Sequence, residues 1–137
     1  MINLFEQISA VIGLPSGLLA ALCAVESGHS PYAINLNDGG GTSSIGICQI
    51  KIETALEVMP SISPSDLFNP ETNIMAAGLY LKKKLKKYKN VPHAVASYNA
   101  GRVKIDETGK LKNIRYVRSV YREWKRMRRK VSLLKVS

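Results

Sequence analysis

The chain holds few of the residues on which metal and cofactor chemistry relies. Its 137 residues include two histidines and two cysteines. Neither His29 nor His93 has the His, Cys or carboxylate company that a zinc site needs, so no metal and no cofactor are expected. Cys23 and Cys48 sit in apolar contexts, LLAALCAV and SIGICQI. One pair makes no disulfide framework, and both read as small buried thiols, a bridge between them being the lesser alternative. Acids are also scarce. Ten Asp and Glu oppose twenty Lys and Arg, for a formal charge of +10. No run reaches the roughly eighteen apolar residues of a membrane span. The start, MINLFEQISAVIGLP, lacks a positive n-region, carries Glu6 and is broken by Gly13-Leu14-Pro15. It makes a poor signal peptide, so the expectation is synthesis in a cytoplasm or excision from something larger.

What is present fits one domain over residues 1–137, long enough to enclose a core without staples. The basic residues are clustered. Six lysines fall between Lys82 and Lys89, and ten Lys or Arg between Lys112 and Lys135. The bland reading of each run is a solvated helix face; an anionic polymer, anionic lipid or nucleic acid is the functional one.

Helical periodicity dominates. Leu4, Phe5, Ile8, Val11 and Ile12 form one stripe closed by Gly13, and Pro15 is expected to open a second helix to about Ser27. Residues 28–44 read as a loop, because Gly39-Gly40-Gly41 cannot be regular helix. A short helix is expected from Lys51 to Met59. Asn69 is a good N-cap with Pro70 at the first helical position, for a helix to about Tyr88. Pro92 to Asn99 is a short helix stopped by Gly101. A basic helix over about 112–131 carries Ile114, Val117, Tyr121, Trp124, Met127 and Val131 as its apolar stripe. Strand signals allow at most a vestigial hairpin within residues 34–50. The fold class is mainly α.

Glu26 is the ionisable group that stands out. It follows eleven uncharged residues, Pro15 to Val25, at a helix C-terminus whose partial negative charge disfavours a carboxylate. Apolar surroundings act in the same direction, and a carboxylic acid still protonated near neutral pH suits protonation of a glycosidic oxygen. Helices often end in Glu, however, and position alone does not lift this one above a surface acid.

Its neighbours do. Glu26-Ser27 is followed by Pro31 and Ala33, then Ser44-Ile45-Gly46-Ile47-Cys48-Gln49-Ile50. Asn69-Pro70, Asn73-Ile74, Gly78 and Tyr80-Leu81 come next, then Ala94-Val95-Ala96-Ser97-Tyr98-Asn99-Ala100-Gly101, with Arg115-Tyr116-Val117 near the end. This ordered series resembles the SLT-type lytic transglycosylase domain of the lysozyme-like superfamily. The chain departs from the common pattern in three places. Cys48 stands where many members have Met, Ser97 where many have Ala, and the Asn37–Thr42 insertion stretches the Glu-to-Gln spacing to 23 residues.

The resemblance implies a lysozyme-like fold and cleavage of the MurNAc-β-1,4-GlcNAc bond of peptidoglycan with formation of 1,6-anhydro-MurNAc. It implies Glu26 as acid and then base, with Tyr98 nearby, its hydroxyl orienting the carboxyl or the substrate N-acetyl group. Ser44 and Gln49 would line the glycan groove, and Asn99 would brace it. A second carboxylate is hard to find, since neither Asp38 nor Glu53 matches a family position; substrate assistance by the N-acetyl oxygen makes one acid sufficient. The alternatives are a goose-type lysozyme-like muramidase and a wall-binding structural protein whose catalysis has decayed. A nucleic-acid binder is set aside, because no base-stacking or helix-turn-helix pattern accompanies the basic helix. The expected partners are glycan strands, plus an anionic wall polymer or membrane surface met by that helix. The chain is expected to be a monomer acting at the wall, as a phage lysis protein, a virion-borne enzyme or an excised domain would.

Overall fold

A computed structural model describes residues 2–36 and 42–136, and in them helices surround a small sheet at one edge. The elements in chain order are α1 (Ile2–Ile12), α2 (Leu18–Ser27), β1 (Ile34–Asn35), β2 (Ser44–Ile45), β3 (Ile50–Lys51), α3 (Ile52–Leu56), α4 (Pro70–Tyr88), α5 (Val91–Ala100) and α6 (Ile114–Val136). A 3₁₀ turn, Pro64–Phe68, precedes α4. The mainly α expectation holds.

α2 begins three residues later than Pro15 led us to expect. Gly17 adopts a left-handed φ of 81°, which ends any helical path through Pro15. Its N–H donates to Glu6 Oε2 at 2.9 Å, and Ser16 Oγ donates to Glu6 Oε1 at 2.5 Å. A carboxylate from α1 therefore satisfies amide and hydroxyl groups at the start of α2. Trp124 of α6 donates its indole N–H to Ser16 O at 2.8 Å, so one turn gathers three helices.

The core is built on α2 and α4. Leu18, Leu19, Leu22, Ile74, Leu81, Val95 and Val120 are wholly buried. α4 opens as its sequence dictates, with Asn69 accepting from Thr72 N and Pro70 at the first turn. A Cβ at Gly78 would lie 2.7 Å from Ile12 Cδ1 and 3.1 Å from Leu19 Cδ2. Glycine is what lets α1 and α2 press onto α4 there.

The sheet is one strand larger than a hairpin. Its order is β1-β2-β3, antiparallel throughout, pairing Ile34 with Ile45, Asn35 with Ser44, Ser44 with Lys51 and Ile45 with Ile50. α3 covers only Ile52–Leu56 of the expected Lys51–Met59 helix. α6 in turn runs to Val136, past the expected end at 131. Its buried line is Val117, Val120, Met127 and Val131. Tyr121 and Trp124 lie at the edge of that stripe rather than in its centre.

Of the lysine run, Lys83, Lys86, Lys87 and Lys89 are exposed, while Lys82 and Lys84 are used by the fold. Lys84 is buried, donates to Gly101 O at 2.8 Å and lies over the Tyr80 ring. Lys82 donates to Gly13 O, and Lys83 pairs with Glu57 at 2.8 Å. On α6, Arg126 pairs with Glu123 at 3.0 Å and Arg128 packs over Trp124. Arg118, Arg122, Arg129 and Lys130 are exposed.

The free-thiol reading is overturned. Cys23 and Cys48 form a disulfide, their Cα atoms 4.3 Å apart and both residues wholly buried. Two apolar contexts, each fit for the core, meet inside it; the sequence carried their burial but not their proximity. The bond ties α2 to the turn between β2 and β3, closing a loop of 25 residues' separation. Loop-closure entropy of that length is worth about 3.5 kcal/mol. Replacing both cysteines by Ala should lower the urea-unfolding free energy by about that amount, and reduction of the wild type should bring its midpoint down to that of the variant. An unchanged midpoint in both experiments contradicts the bond.

Candidate active site

The turn that carries the site is held from several sides. Asn73, on α4 and wholly buried, accepts from Cys48 N through Oδ1 at 3.0 Å. Its Nδ2 donates to Ile45 O and Leu67 O, each at 2.8 Å. Both amide hydrogens are thereby used. Ser27 Oγ donates to Ile47 O at 2.5 Å, and Tyr98 Oη donates to Cys48 O at 2.9 Å. Gly46 has a φ of 81°, and a Cβ there would collide with the Asn73 side chain and Leu67 O. Both the backbone angle and the space require glycine.

Gln49 follows with a φ of 50°, a left-handed conformation uncommon for a side-chain-bearing residue. Its Nε2 donates to Ala33 O at 3.1 Å and Gly46 O at 3.0 Å. The two donor hydrogens are spent on backbone, which also fixes which way the amide faces. Gln49 can offer a ligand only its Oε1 acceptor.

All five residues singled out from the sequence, Glu26, Ser44, Gln49, Tyr98 and Asn99, line one cleft of about 330 Å³. Lys51, Thr54, Tyr80, Gly101 and Lys104 contribute to its walls. Glu26 reaches it from the last turn of α2, which Gly28 terminates with a φ of 64° and an N–H bonded to Ala24 O. Ser44 is buried in β2, and Asn99 is exposed, its Oδ1 accepting from Asn113 Nδ2 at 3.0 Å.

Tyr116 is the residue that sequence reasoning passed over. Its hydroxyl donates to Glu26 Oε2 at 2.6 Å across 90 residues of sequence. The carboxyl-orienting contact expected of Tyr98 is made instead by Tyr116, because the Tyr98 hydroxyl proton is committed to Cys48 O. The signal was present. Tyr116 lies in the first turn of α6, whose apolar stripe packs along α2, and a polar aromatic there can reach Glu26 in the last turn of α2.

Burial, and then the Glu26 charge, push the hydroxyls of Tyr98 and Tyr116 well above the usual tyrosine range. Burial raises Tyr80 to about 12. A raised tyrosine favours the fold fully below the unfolded value near 10 and loses that contribution only as pH climbs through the folded value. Around neutral pH all three are therefore neutral, and the Tyr116 hydroxyl keeps the proton it donates to the Glu26 carboxyl.

Glu53, weighed as a second acid, is exposed on α3 and does not line the cleft. Asp38, the other, lies outside the described residues. Among the described residues, no group of three or more His, Cys, Asp and Glu could hold a metal ion. His29 bonds through Nε2 to Ala20 O at 2.8 Å and stacks on Phe5, a structural placement.

Residues 3–118 match the family model of the transglycosylase SLT domain. The chain is also similar to Protein IpgF of Shigella sonnei, 28% identical over 116 residues that span 83% of this chain and 74% of that protein. The matched segment includes every cleft residue from Glu26 to Lys104, and Tyr116 as well.

Proposed function

Because the chain belongs to the transglycosylase SLT domain family, whose substrate is peptidoglycan, we propose that it is a lytic transglycosylase cutting the MurNAc-β-1,4-GlcNAc bond. One observation carries this reading: among the described residues, Glu26 is the one acid lining the cleft, and it accepts a hydrogen bond from Tyr116. In the first step the protonated carboxyl of Glu26 gives its proton to the bridging oxygen as the C1–O bond breaks. The substrate's own N-acetyl oxygen stabilises the positive charge at C1, standing in for a second carboxylate. The carboxylate then takes the proton of the C6 hydroxyl as O6 bonds to C1. The 1,6-anhydro ring closes, Glu26 regains its proton, and no water enters.

Each cleft residue has a part. Tyr116 fixes the carboxyl's orientation while its raised hydroxyl cannot compete for the transferred proton. Tyr98 acts indirectly, holding the Cys48 carbonyl and with it the turn that presents Gln49. The Gln49 Oε1 accepts from a sugar hydroxyl or N-acetyl N–H, Ser44 lines the groove beside it, and Asn99, steadied by Asn113, braces its rim.

The muramidase reading differs only in the attacking group, so the products decide. Muropeptides released from purified peptidoglycan should end in 1,6-anhydro-N-acetylmuramic acid, each lighter by one water than a hydrolytic product in the mass spectrum. Reducing ends that carry label from ¹⁸O water reassign the protein to hydrolysis, and no release at all returns it to a wall-binding role.

A second part of the proposal concerns α6. Arg118, Arg122, Arg129 and Lys130 face solvent, and phosphates or carboxylates of a wall polymer or membrane surface are their natural counter-charges. Contacts of this kind are screened over about 8 Å at physiological ionic strength. Changing Arg122, Arg129 and Lys130 together to Gln should weaken cell binding at low salt and remove most of its salt dependence. Equal binding by variant and wild type across the salt range leaves these residues as a solvated face.

A further inference from the structure

The cleft carries more positive charge than a neutral sugar polymer would call on. Two cations, Lys51 and Lys104, share its walls with the single described acid, Glu26. When Glu26 holds the proton it is to transfer, the described lining bears two positive charges and no negative one.

Both lysines are placed by backbone. Lys51 ends β3 directly opposite Ser44 of β2, and opposed residues of an antiparallel pair project from the same face. Ser44 and Lys51 accordingly line the cleft side by side. Lys104 reaches the cleft from a small hairpin absent from our sequence reading. Ile105 bridges to Leu111, Lys112 N donates to Lys104 O at 2.9 Å, and Asp106 N donates to Lys110 O at 2.8 Å. Buried Leu111 anchors that hairpin to the core. Asp106 is the nearest acid in the segment, yet its Oδ1 accepts from Thr108 N, Thr108 Oγ1 and Lys110 N. Those bonds hold its carboxyl below the usual range and direct it into its own turn. Arg102, Lys110 and Lys112 of the same segment are exposed and outnumber its other acid, exposed Glu107.

We infer that Lys51 and Lys104 form a carboxylate-reading subsite, which selects glycan whose muramic acid residues carry a negative charge on the lactyl arm. The inference rests on the peptidoglycan reading above. Two sources supply that chemistry. In a bare strand the lactyl group ends in its own carboxylate, whereas in a peptide-bearing strand it is amidated and the carboxylates belong to the stem peptide. A polymer of N-acetylglucosamine alone offers neither.

Calorimetric binding to the 137-residue chain carrying Glu26→Gln, in which nothing is cleaved, separates these cases. The probes are soluble peptide-bearing strands, amidase-stripped strands and N-acetylglucosamine oligomers of matched length. Adding Lys51→Gln and Lys104→Gln should weaken binding to at least one charged probe by about fivefold at low salt, in line with two partly exposed ion pairs. Binding to the neutral oligomer should change by less than about twofold. Which charged probe loses affinity identifies the source. The single Lys104→Gln variant, on an exposed hairpin strand, checks the result without touching β3. Equal weakening for neutral and charged probes, or no weakening for either charged probe, overturns the subsite. Failure of the product assay leaves this comparison intact, because it reads binding and not cleavage.

Discussion

The geometry of the cleft depends on one buried amide. Asn73 binds the peptide groups of Ile45, Leu67 and Cys48 at once, and so docks the turn between β2 and β3 onto α4. An amide in a dry core is stable only when its donors and acceptor are met. The turn is shaped to meet them, and Gly46 is the residue small enough to let Asn73 in. The disulfide fastens the same turn to α2, while Ser27 and Tyr98 take the Ile47 and Cys48 carbonyls. Four consecutive residues, 45–48, are held in turn by Asn73, Gln49, Ser27 and, at Cys48, Asn73 again with Tyr98, and Gln49 can be held in a conformation it would not choose alone.

The same grip sets where Glu26 stands. α2 is fixed at its end by Cys23 and Ser27 to the turn, and along its length by α6. From α6 comes Tyr116, whose hydroxyl closes the contact with the carboxyl. The neutral hydroxyl of Tyr116 thus stands at Glu26; Lys51 and Lys104 share the cleft walls with that carboxyl, and further cations lie on the outer face of α6.

Much of this was legible in the sequence where the signal is local. The N-cap Asn69 with Pro70 and the stop at Gly101 each follow from a few adjacent residues, and the structure has them where the pattern placed them; the stripe of α6 is there too, centred on Val120 rather than Tyr121. Glu26, Ser44, Gln49, Tyr98 and Asn99 came from motif order and meet at one cleft. What escaped depends on contacts between distant segments. Pro15 reads as a helix start until Glu6 claims the Gly17 amide; Cys23 and Cys48 read as separate thiols until the fold makes them neighbours. Tyr116 lay within a noted segment, yet only the packing of α6 on α2 assigns its hydroxyl to Glu26 rather than to water. The hairpin around Asp106 has Gly109 and a Thr108 turn, signals that a helix-dominated pattern obscured.

The central claim is that Glu26 alone moves the proton in both halves of the reaction, with the surrounding residues only orienting it. The direct measurement is the rate of anhydro-muropeptide release by Glu26→Gln, with circular dichroism and the urea midpoint confirming an unchanged fold. The substitution keeps the side chain's shape and removes its transferable proton. General acid–base catalysis is typically worth about 10²–10⁴-fold, and here one group supplies both roles, so release should fall by at least about a hundredfold. A folded variant that keeps more than about a tenth of wild-type activity contradicts the account.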